Sequence, residues 1–548
     1  MDDAKPLRSG RRKRIACVCA LAVCAATLAA CGGSQHKPDA LPAPVWKSQL
    51  DHVPDDASFV LTVNRLDQVS RSLRATQAWE ELFKFVGDRA PHLQGLRPLI
   101  EELADILERD LSGRITVAIW EPTPDHTQRR WLVLSEGKIQ AVVRAGERVV
   151  RQPAGQLVHV GDDVFQYTGG SAQTSEAYLL QTPSMGLLAS DRDTLAAAVE
   201  PSATALSADR TFATLVADVD GDGEVLFWMR DWTDGDDNWS DMANLATSEP
   251  APRAALLSLR ADAGVRGNFA IEFDAERNAA FGLPQLEAAK APLRSPRLLP
   301  ATTVAFAGLQ TRGPSFGELL GPMLEDASPD AAVFAELLGG LQGEIAWAVT
   351  EAGEDAPTSG LGFPVPEVAV LARLREGVDP AQLEPLVASL FRILHLEVTG
   401  TADMGPPATR QVGASTVTSF STADPAIQVA YGTVDGFLVV GTLGAVESIA
   451  RTAAGEESQS LAGGANPRAM AALARPWNYV AVVDFGQAYR FIKKNWGGMI
   501  GIMSDGVVGG RDDALEFLFS VVPSAGATVG FGESTMVGEF WLSAQDVR

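Results

Sequence analysis

Cysteine is close to absent from this chain of 548 residues: the four present, Cys17, Cys19, Cys24 and Cys31, all fall within the first 31 positions. Everything after them is without a disulfide, a thiol nucleophile or a cysteine-ligated zinc site. Histidine is scarce too. Its six positions, His36, His52, His92, His126, His159 and His395, are scattered, and no HExxH pair occurs. A G-x-S-x-G elbow, a P-loop and a strand-linked G-x-G-x-x-G are also missing, which removes the sequence signs of an α/β-hydrolase, a phosphate-loop NTPase and a dinucleotide binder. Ser34 and Lys37 make an S-x-x-K, but in a Gly- and Pro-rich segment that would hold no nucleophile rigid. The enzymatic reading that remains is a hydrolase assembled from distant residues, with His126 or His159 beside a carboxylate and a serine. Basic charge is in deficit: 45 Lys and Arg stand against 69 Asp and Glu, a net charge of −24. Nucleic acid and anionic lipid surfaces repel such a body at long range, so neither is expected as a partner.

What is present at the start of the chain points to export. Arg8, Arg11, Arg12, Lys13 and Arg14 precede an apolar run from Ile15 to Ala30. The run is too short to span a bilayer comfortably, and its basic flank and small-residue end read as a secretory signal over residues 1–30. The alternatives are a plain signal cut nearby and an uncleaved membrane helix. Leu28-Ala29-Ala30-Cys31 resembles the lipobox of bacterial lipoproteins. That resemblance implies a diacylglyceryl group on the Cys31 sulfur, cleavage before it, and acylation of the new amino group by chains such as palmitate. Several such chains anchor a protein permanently. By the same resemblance Gly32, standing where an aspartate would signal inner-membrane retention, implies the outer membrane, with the side it faces left open.

Cleavage there removes six basic and two acidic residues, which leaves 39 against 67 and a net charge of −28. Such a charge keeps an exported protein soluble. Hydrophobic content of 46% indicates a folded body of more than one domain. Residues 31–52 are rich in Gly, Pro and Ala and read as a lipidated cysteine on a flexible tether, with folding starting near Val53.

The body reads as a duplication. VPDDASFVLTVNRL from Val53 matches LPATTVAFAGLQ from Leu299, and GRITVAIWE (Gly113–Glu121) matches GEIAWAVTE (Gly343–Glu351). WLVLSEG from Trp131 parallels AVLARLREG from Ala369. GLLASDRDTLAAAVE from Gly186 parallels GFLVVGTLGAVESIA from Gly436, and VRGNFAIEF from Val265 parallels MVGEFWLSA from Met536. Five pairs in one order define a first copy at 53–275, a linker at 276–298 and a second copy at 299–548. Ile115, Val117 and Ile119 alternate with Thr116, Ala118 and Trp120, as in a strand. Leu96, Leu99, Ile100, Leu103, Ile106 and Leu107 make one helical face. Strands and helices intermix without regular alternation, so the expected class is α+β: two tandem copies of a mixed domain with mainly antiparallel sheets covered by helices. Pro54–Asn64, Leu187–Val199 and Leu206-Ser207-Ala208-Asp209-Arg210-Thr211-Phe212 resemble a family of secreted or lipid-anchored bacterial proteins known as a domain of unknown function. The resemblance implies an architecture and brings no activity.

One stretch suggests metal chemistry. DVDGDGEV, Asp218–Val225, sets Asp218, Asp220, Asp222 and Glu224 around two glycines, in the D-x-D-x-D-G pattern that opens a calcium loop. The twelfth position, however, is Met229 and the ninth Leu226, and VLFWMRDW reads as a strand, so an EF-hand is excluded. Two readings stay open. One is a calcium site completed by water, with Asp234, Asp236, Asp237 and Asp241 nearby; the other is an acidic helix-to-strand turn. The matching junction in the second copy, ALARPWNYVAVVDF from Ala472, turns without carboxylates. Phe227, Trp228, Trp232, Trp239, Trp477 and Tyr479 read as core or as a binding surface. NWGGMIGIMSDGVVGG, from Asn495, reads as a packed hairpin or a membrane-touching flap. Glu101-Glu102 and Asp55-Asp56 read as a solvated helix face and a turn. The functional expectation is a non-enzymatic, lipid-anchored envelope protein acting as a binding or scaffolding module, in contact with the membrane through its anchor and with an unknown envelope protein. A carrier of a hydrophobic ligand or lipid comes second, and the distant-residue hydrolase third. Apart from the candidate calcium, no cofactor is expected.

Overall fold

A computed structural model describes residues 47–64, 101, 105, 113–121, 130–140, 143, 156–161, 164–168, 177–201, 204–219, 223–230, 252–261, 264–273, 291–315, 336–351, 366–399, 405–422, 428–456, 460–463, 467–491, 493, 524–532 and 534–543. The expected signal 1–30, Cys31, the tether up to residue 46, most of the helix at 96–111, and segments 233–241 and 495–510 lie outside these. The chain divides into two compact units, one of Met1–Asp274 with Trp541–Arg548 and one of Ala275–Phe540.

In the first unit α1 (Lys47–Leu50) leads into β1 (Phe59–Val63), β2 (Ile115–Trp120), β3 (Arg130–Ser135), β4 (Gln156–Gly161), β5 (Val164–Thr168), β6 (Ala177–Gln181) and β7 (Gly186–Ala189). Helices α2 (Arg192–Val199) and α3 (Arg210–Asp218) follow, then β8 (Val225–Arg230), β9 (Pro252–Ala261) and β10 (Gly264–Phe273). Pairing runs β4–β5–β6–β7–β3–β2–β1–β8–β9–β10, all antiparallel. The second unit has β11 (Thr303–Ser315), β12 (Leu341–Thr350), β13 (Glu367–Leu374), α4 (Pro380–Thr399), β14 (Ala408–Val412), β15 (Ser415–Ser421), β16 (Gln428–Val434) and β17 (Phe437–Thr442). It continues with α5 (Leu443–Ala453), α6 (Pro467–Leu473), β18 (Tyr479–Asp484), β19 (Ser524–Phe531) and the start of β20 (Thr535–Ser543). Its order is β14–β15–β16–β17–β13–β12–β11–β18–β19–β20, the same path strand for strand. Even the single bridges before the first strands correspond, Pro54 to Ala205 and Pro300 to Ser460.

The expectation of α+β domains with sheets under helices is overturned. The described chain is dominated by 20 antiparallel strands, and its helices are inserts between hairpins. Composition misleads in segments such as PRAALLSLRA, which is β9. Its Ala, Leu and Arg favour helix, but β8 bonds it on one side and β10 on the other, and sheet context overrides propensity. The helices that do pack have clear apolar faces. Leu383, Val387, Leu390 and Phe391 of α4 bury against Phe420, Tyr431 and Leu438. Helix α2 is capped by Asp191, which accepts from the Thr194 N–H at 2.7 Å. Partial burial pulls the Asp191 pKa up, but bonds from Thr194 and Ser190 and the nearby Arg130 outweigh it and hold the carboxyl below the usual aspartate value.

Each sheet is locked at the same place by a buried charge, of opposite sign in the two units. Arg114, 3% exposed, stands just before β2. Its Nε donates to Asn64 Oδ1 at 2.7 Å and its Nη1 to Ser48 Oγ at 2.9 Å, and Glu136 lies 3.3 Å away. Gln49 of α1 donates to the Arg114 carbonyl and accepts from the Thr116 hydroxyl at 2.6 Å. Burial pulls the Arg114 pKa down and Glu136 works against that, so the guanidinium stays charged. The corresponding residue before Ile345 is Glu344. Its carboxylate accepts the N–H groups of Arg294 and Ser295, at 2.9 and 2.8 Å, where a short 3-10 turn precedes β11. Both charges therefore fix the segment that enters the first strand. This also explains why the Thr116, Ala118, Trp120 face of β2 is the more buried one, although Ile115, Val117 and Ile119 look more apolar. The Thr116 hydroxyl is satisfied by Gln49 and Thr62, and the Trp120 Nε1 by Asp56 at 2.6 Å.

Two outcomes follow for folding. Arg114→Met leaves Asn64 and Ser48 without their Arg114 donor and should cost about 3 kcal/mol in urea unfolding of the first unit, with Arg114→Lys recovering only part because the donors of an ammonium share one nitrogen and do not span the sites that Nε and Nη1 reach. An unchanged midpoint would show that the network is not needed. Asp191→Ala should cost about 1 kcal/mol at neutral pH. Because its folded pKa is depressed, that cost should shrink as the pH falls through the folded value, and disappear below it.

Candidate functional site

The acidic stretch joins α3 to β8. Helix α3 starts at Asp209, which accepts from the Phe212 N–H at 2.8 Å and pairs with Arg230 of β8 at 2.6 Å. Phe212 and Leu215 bury one face of the helix, which ends at Asp218. Phe212 meets the fully buried Trp228 edge-on at 5.2 Å. Asp218 is exposed, with enough neighbouring chain to raise its pKa by desolvation. Asp220 and Asp222 lie outside the described residues. At the exit of the turn the chain is pinned: Asn64 Nδ2 donates to the Gly223 carbonyl at 3.0 Å, and the Asn64 N–H to the Glu224 carbonyl at 2.6 Å. Asn64 is itself held by Arg114, so the exit is tied to the buried charge. A side chain on Gly223 would collide with the Ser258 hydroxyl and with the Leu259 carbonyl, which explains the glycine.

Two arginines face this turn. Arg260 and Arg266 sit directly opposite each other on β9 and β10. With Gly223, Ser258 and Asn268 they line a depression of about 10 Å³, room for about one water. Like charges opposite each other across a ladder repel, and Gly223, at the exit of the acidic stretch, lines the same depression. The second unit makes the comparison. Val225 pairs with Leu259 as Tyr479 pairs with Val529, so Arg260 corresponds to Gly530. In the matched segments VRGNFAIEF and MVGEFWLSA, Arg266 corresponds to Val537. A side chain placed on Gly530 would meet the Trp477 ring at 3.3 Å, with Val537 beside it. Where the arginines are gone, the acidic cluster is gone too.

The other candidate residues separate. Trp228 is core, Trp477 and Tyr479 are half-buried, and Trp232, Trp239 and the 495–510 segment lie outside the described residues. His159 is exposed on β4 and leans on Phe165, ring centres 5.2 Å apart. His126 is outside the described residues. Asp56 bonds Trp120 and pairs with Arg130, while the Asp55 N–H donates to the Thr204 carbonyl. Glu101 is helical, and Glu102 is outside the described residues. Among the described residues no three His, Cys, Asp or Glu converge, and no helix is long and apolar enough to cross a membrane.

Sequence reasoning missed the exposed apolar side chains. Trp347 is 43% exposed and pairs across strands with Val370, itself 36% exposed. They share a face with Ile345, which packs against the α4 cluster, but stand two residues farther along β12. The signal was the alternation of Ile345, Trp347 and Val349 against the buried Ala346 and Ala348, which puts the tryptophan on the less buried face of β12. In the first unit Leu157, Val158 and Val199 are exposed as well.

Neither a protein family nor a curated protein matches the chain. A solved structure, crystal form I of TP0453, is similar over 74% of this chain and 96% of that chain, at 8% identity and a TM-score of 0.16. At that score the likeness carries no argument about fold or role.

The charge-balance reading of the turn is open to calorimetry and a mutant cycle. Calcium added to the full chain should give no binding heat. Heat that disappears in Asp220→Ala and Asp222→Ala would restore a metal site. Asp220→Asn with Asp222→Asn should lower stability by about 0.5–1 kcal/mol, and by less once Arg260→Ser and Arg266→Ser are in place.

Proposed function

We propose that the protein is a lipid-anchored component of the cell envelope, acylated at Cys31 and placed at the outer rather than the inner membrane. Its body acts without catalysis as a binding or scaffolding module for an envelope protein. The binding role is carried by Trp347 and Val370. A tryptophan and a valine side by side on a sheet, both open to water in a strongly acidic chain, have the chemistry of a protein-contact anchor. The anchor reading is supported by the basic flank, the apolar run and the LAAC segment. It is also supported by the first described turn: Ser48, Gln49 and Leu50 are tied to Arg114, Thr116 and the core immediately after the Gly/Pro-rich stretch. A tether ending there holds a rigid body rather than a loose one. No cofactor is assigned, and Asp218, Asp220, Asp222 and Glu224 are given to charge balance with Arg260 and Arg266.

Acyl labelling of cells expressing the full chain tests the anchor. Wild type should be labelled and sediment with membranes, and Cys31→Ala should do neither. Labelling that persists in Cys31→Ala would refute the anchor. A photo-crosslinker at Val370 should trap a partner in intact cells, with the yield falling about tenfold in Trp347→Ala, a loss of about 1.4 kcal/mol. An unaltered yield would remove Trp347 from the binding surface.

A further inference from the structure

The sheet of the second unit is apolar on both faces, and α4 covers part of one of them. On one face Phe306, Ala346, Ala348 and Val482 are buried. On the other, Val370, Trp347, Ala307, Ala481 and Ala527 stand in one row across β13, β12, β11, β18 and β19, each directly opposite the next. Helix α4 closes one end of this second face. Ala372, which pairs with Ile345 two residues before Trp347, belongs to its buried cluster, and Ile345, Leu309 and Val440 pack against it. Trp347 and Val370, 43% and 36% exposed, lie beyond its reach.

The open part of this face is not a strand edge. At Trp347, β12 is bonded to β11 on one side and to β13 on the other, so a partner laid there finds no backbone groups to pair with. Such a partner has to satisfy its own N–H and C=O groups as it leaves water, which a helix does and a lone extended strand does not. The spacing agrees. Neighbouring helices pack about 8–10 Å apart, roughly three residues along a strand, and Trp347 and Val349 stand two and four residues past Ile345. Ala307 and Ala305 lie opposite them and are half-buried, their short side chains leaving a low floor beside the tall indole.

We propose that this face seats a basic amphipathic helix of the envelope partner, laid beside α4 with its apolar stripe on Trp347, Val370 and the two alanines. The inference rests on the binding role proposed above and adds the class of segment that is bound. No charge stands in the row or on Ala305, Ile345 and Val349, so the side chains that touch it are apolar. Lys and Arg belong on the outer face of the helix, where the chain's net charge of −24 draws them in at long range. The same charge turns away a second copy of this chain.

Fluorescence anisotropy of a labelled synthetic helix, Leu on one face and Lys on the other, tests the seat on the full chain. The Leu/Lys helix should bind, and about tenfold more weakly to Trp347→Ala and to Val370→Ser, with circular dichroism unchanged because both side chains are exposed. A helix with Glu in place of Lys should bind at least about tenfold more weakly than the Lys one. Absence of binding, binding that neither substitution weakens, or equal binding of the Glu helix overturns the proposal. In intact cells, the site trapped by a photo-crosslinker at Val370 should map to a basic helical segment of another protein. A site in an acidic or extended segment, in another part of this chain or in a second copy also overturns it. Binding of the Leu/Lys helix with nothing trapped in cells would strike the envelope-partner reading and leave the seat standing.

Discussion

A buried charge beside the second strand is the constraint on which each sheet depends. Desolvating a guanidinium or a carboxylate is expensive, so each must be fully bonded, and the bonds it makes decide what surrounds it. In the first unit Arg114 gathers Asn64, Ser48 and Glu136, with Gln49 of α1 on its carbonyl. Those contacts set the start of the folded body and the end of β1. Through the two bonds from Asn64 they also fix the exit of the acidic turn. In the second unit Glu344 does the corresponding work by accepting two backbone N–H groups ahead of β11. A sign inversion at one position, with a different set of partners each time, shows that the architecture requires a satisfied polar plug there and not a particular residue.

The acidic turn belongs to the same economy of charge. Considered alone, DVDGDGEV is a metal motif missing its last ligands. Its exit at Gly223 lies beside Arg260 and Arg266, and the matched segments of the second unit have neither the acidic cluster nor the arginine pair. The junction ALARPWNYVAVVDF shows that the turn forms without carboxylates, but that junction also has no arginine pair to neutralise. In its place the Trp477 ring lies against Gly530, and Arg475 of the junction pairs with Glu539 of β20 at 3.7 Å.

Much of the chain's plan was legible in the sequence because it is written in local patterns. The five matched segments lie on β1 and β11, β2 and β12, β3 and β13, β7–α2 and β17–α5, and β10 and β20, which occupy equivalent places in the two strand orders. Turns, apolar alternation and the strand-into-helix step at Gly186 and Gly436 are short-range signals, and they survive divergence. The dominance of sheet was not legible. Strand β9 is rich in Ala and Leu, and only its two neighbours make it a strand. The roles of Arg114 and Arg260 were equally hidden, because a charged residue in an alternating pattern looks like solvent-facing surface until its long-range partners are known. Exposure at Trp347 required knowing how far along its face of β12 the α4 cluster reaches, which depends on the fold of more than a hundred residues.

Repetition of a topology makes the differences between the two units interpretable as choices. At one place the two units use charges of opposite sign, an arginine plug against a carboxylate one, and at the other a tryptophan ring stands where the first unit has an arginine pair. At the sheet margin the contrast has a different character, because there, among the described residues, only the second unit is clasped. Arg410, Glu447, Arg451 and the last turn of α5 finish the second unit's corner. At the matching corner of the first unit, Val158, Leu157 and Val199 meet water. Exposed strand edges are prone to uncontrolled addition, and an acidic chain gains from guarding them. Among the described residues the matching corners thus differ in kind: β14 carries a charge fixed to a helix, whereas β4 is uncharged and exposes apolar side chains on both faces.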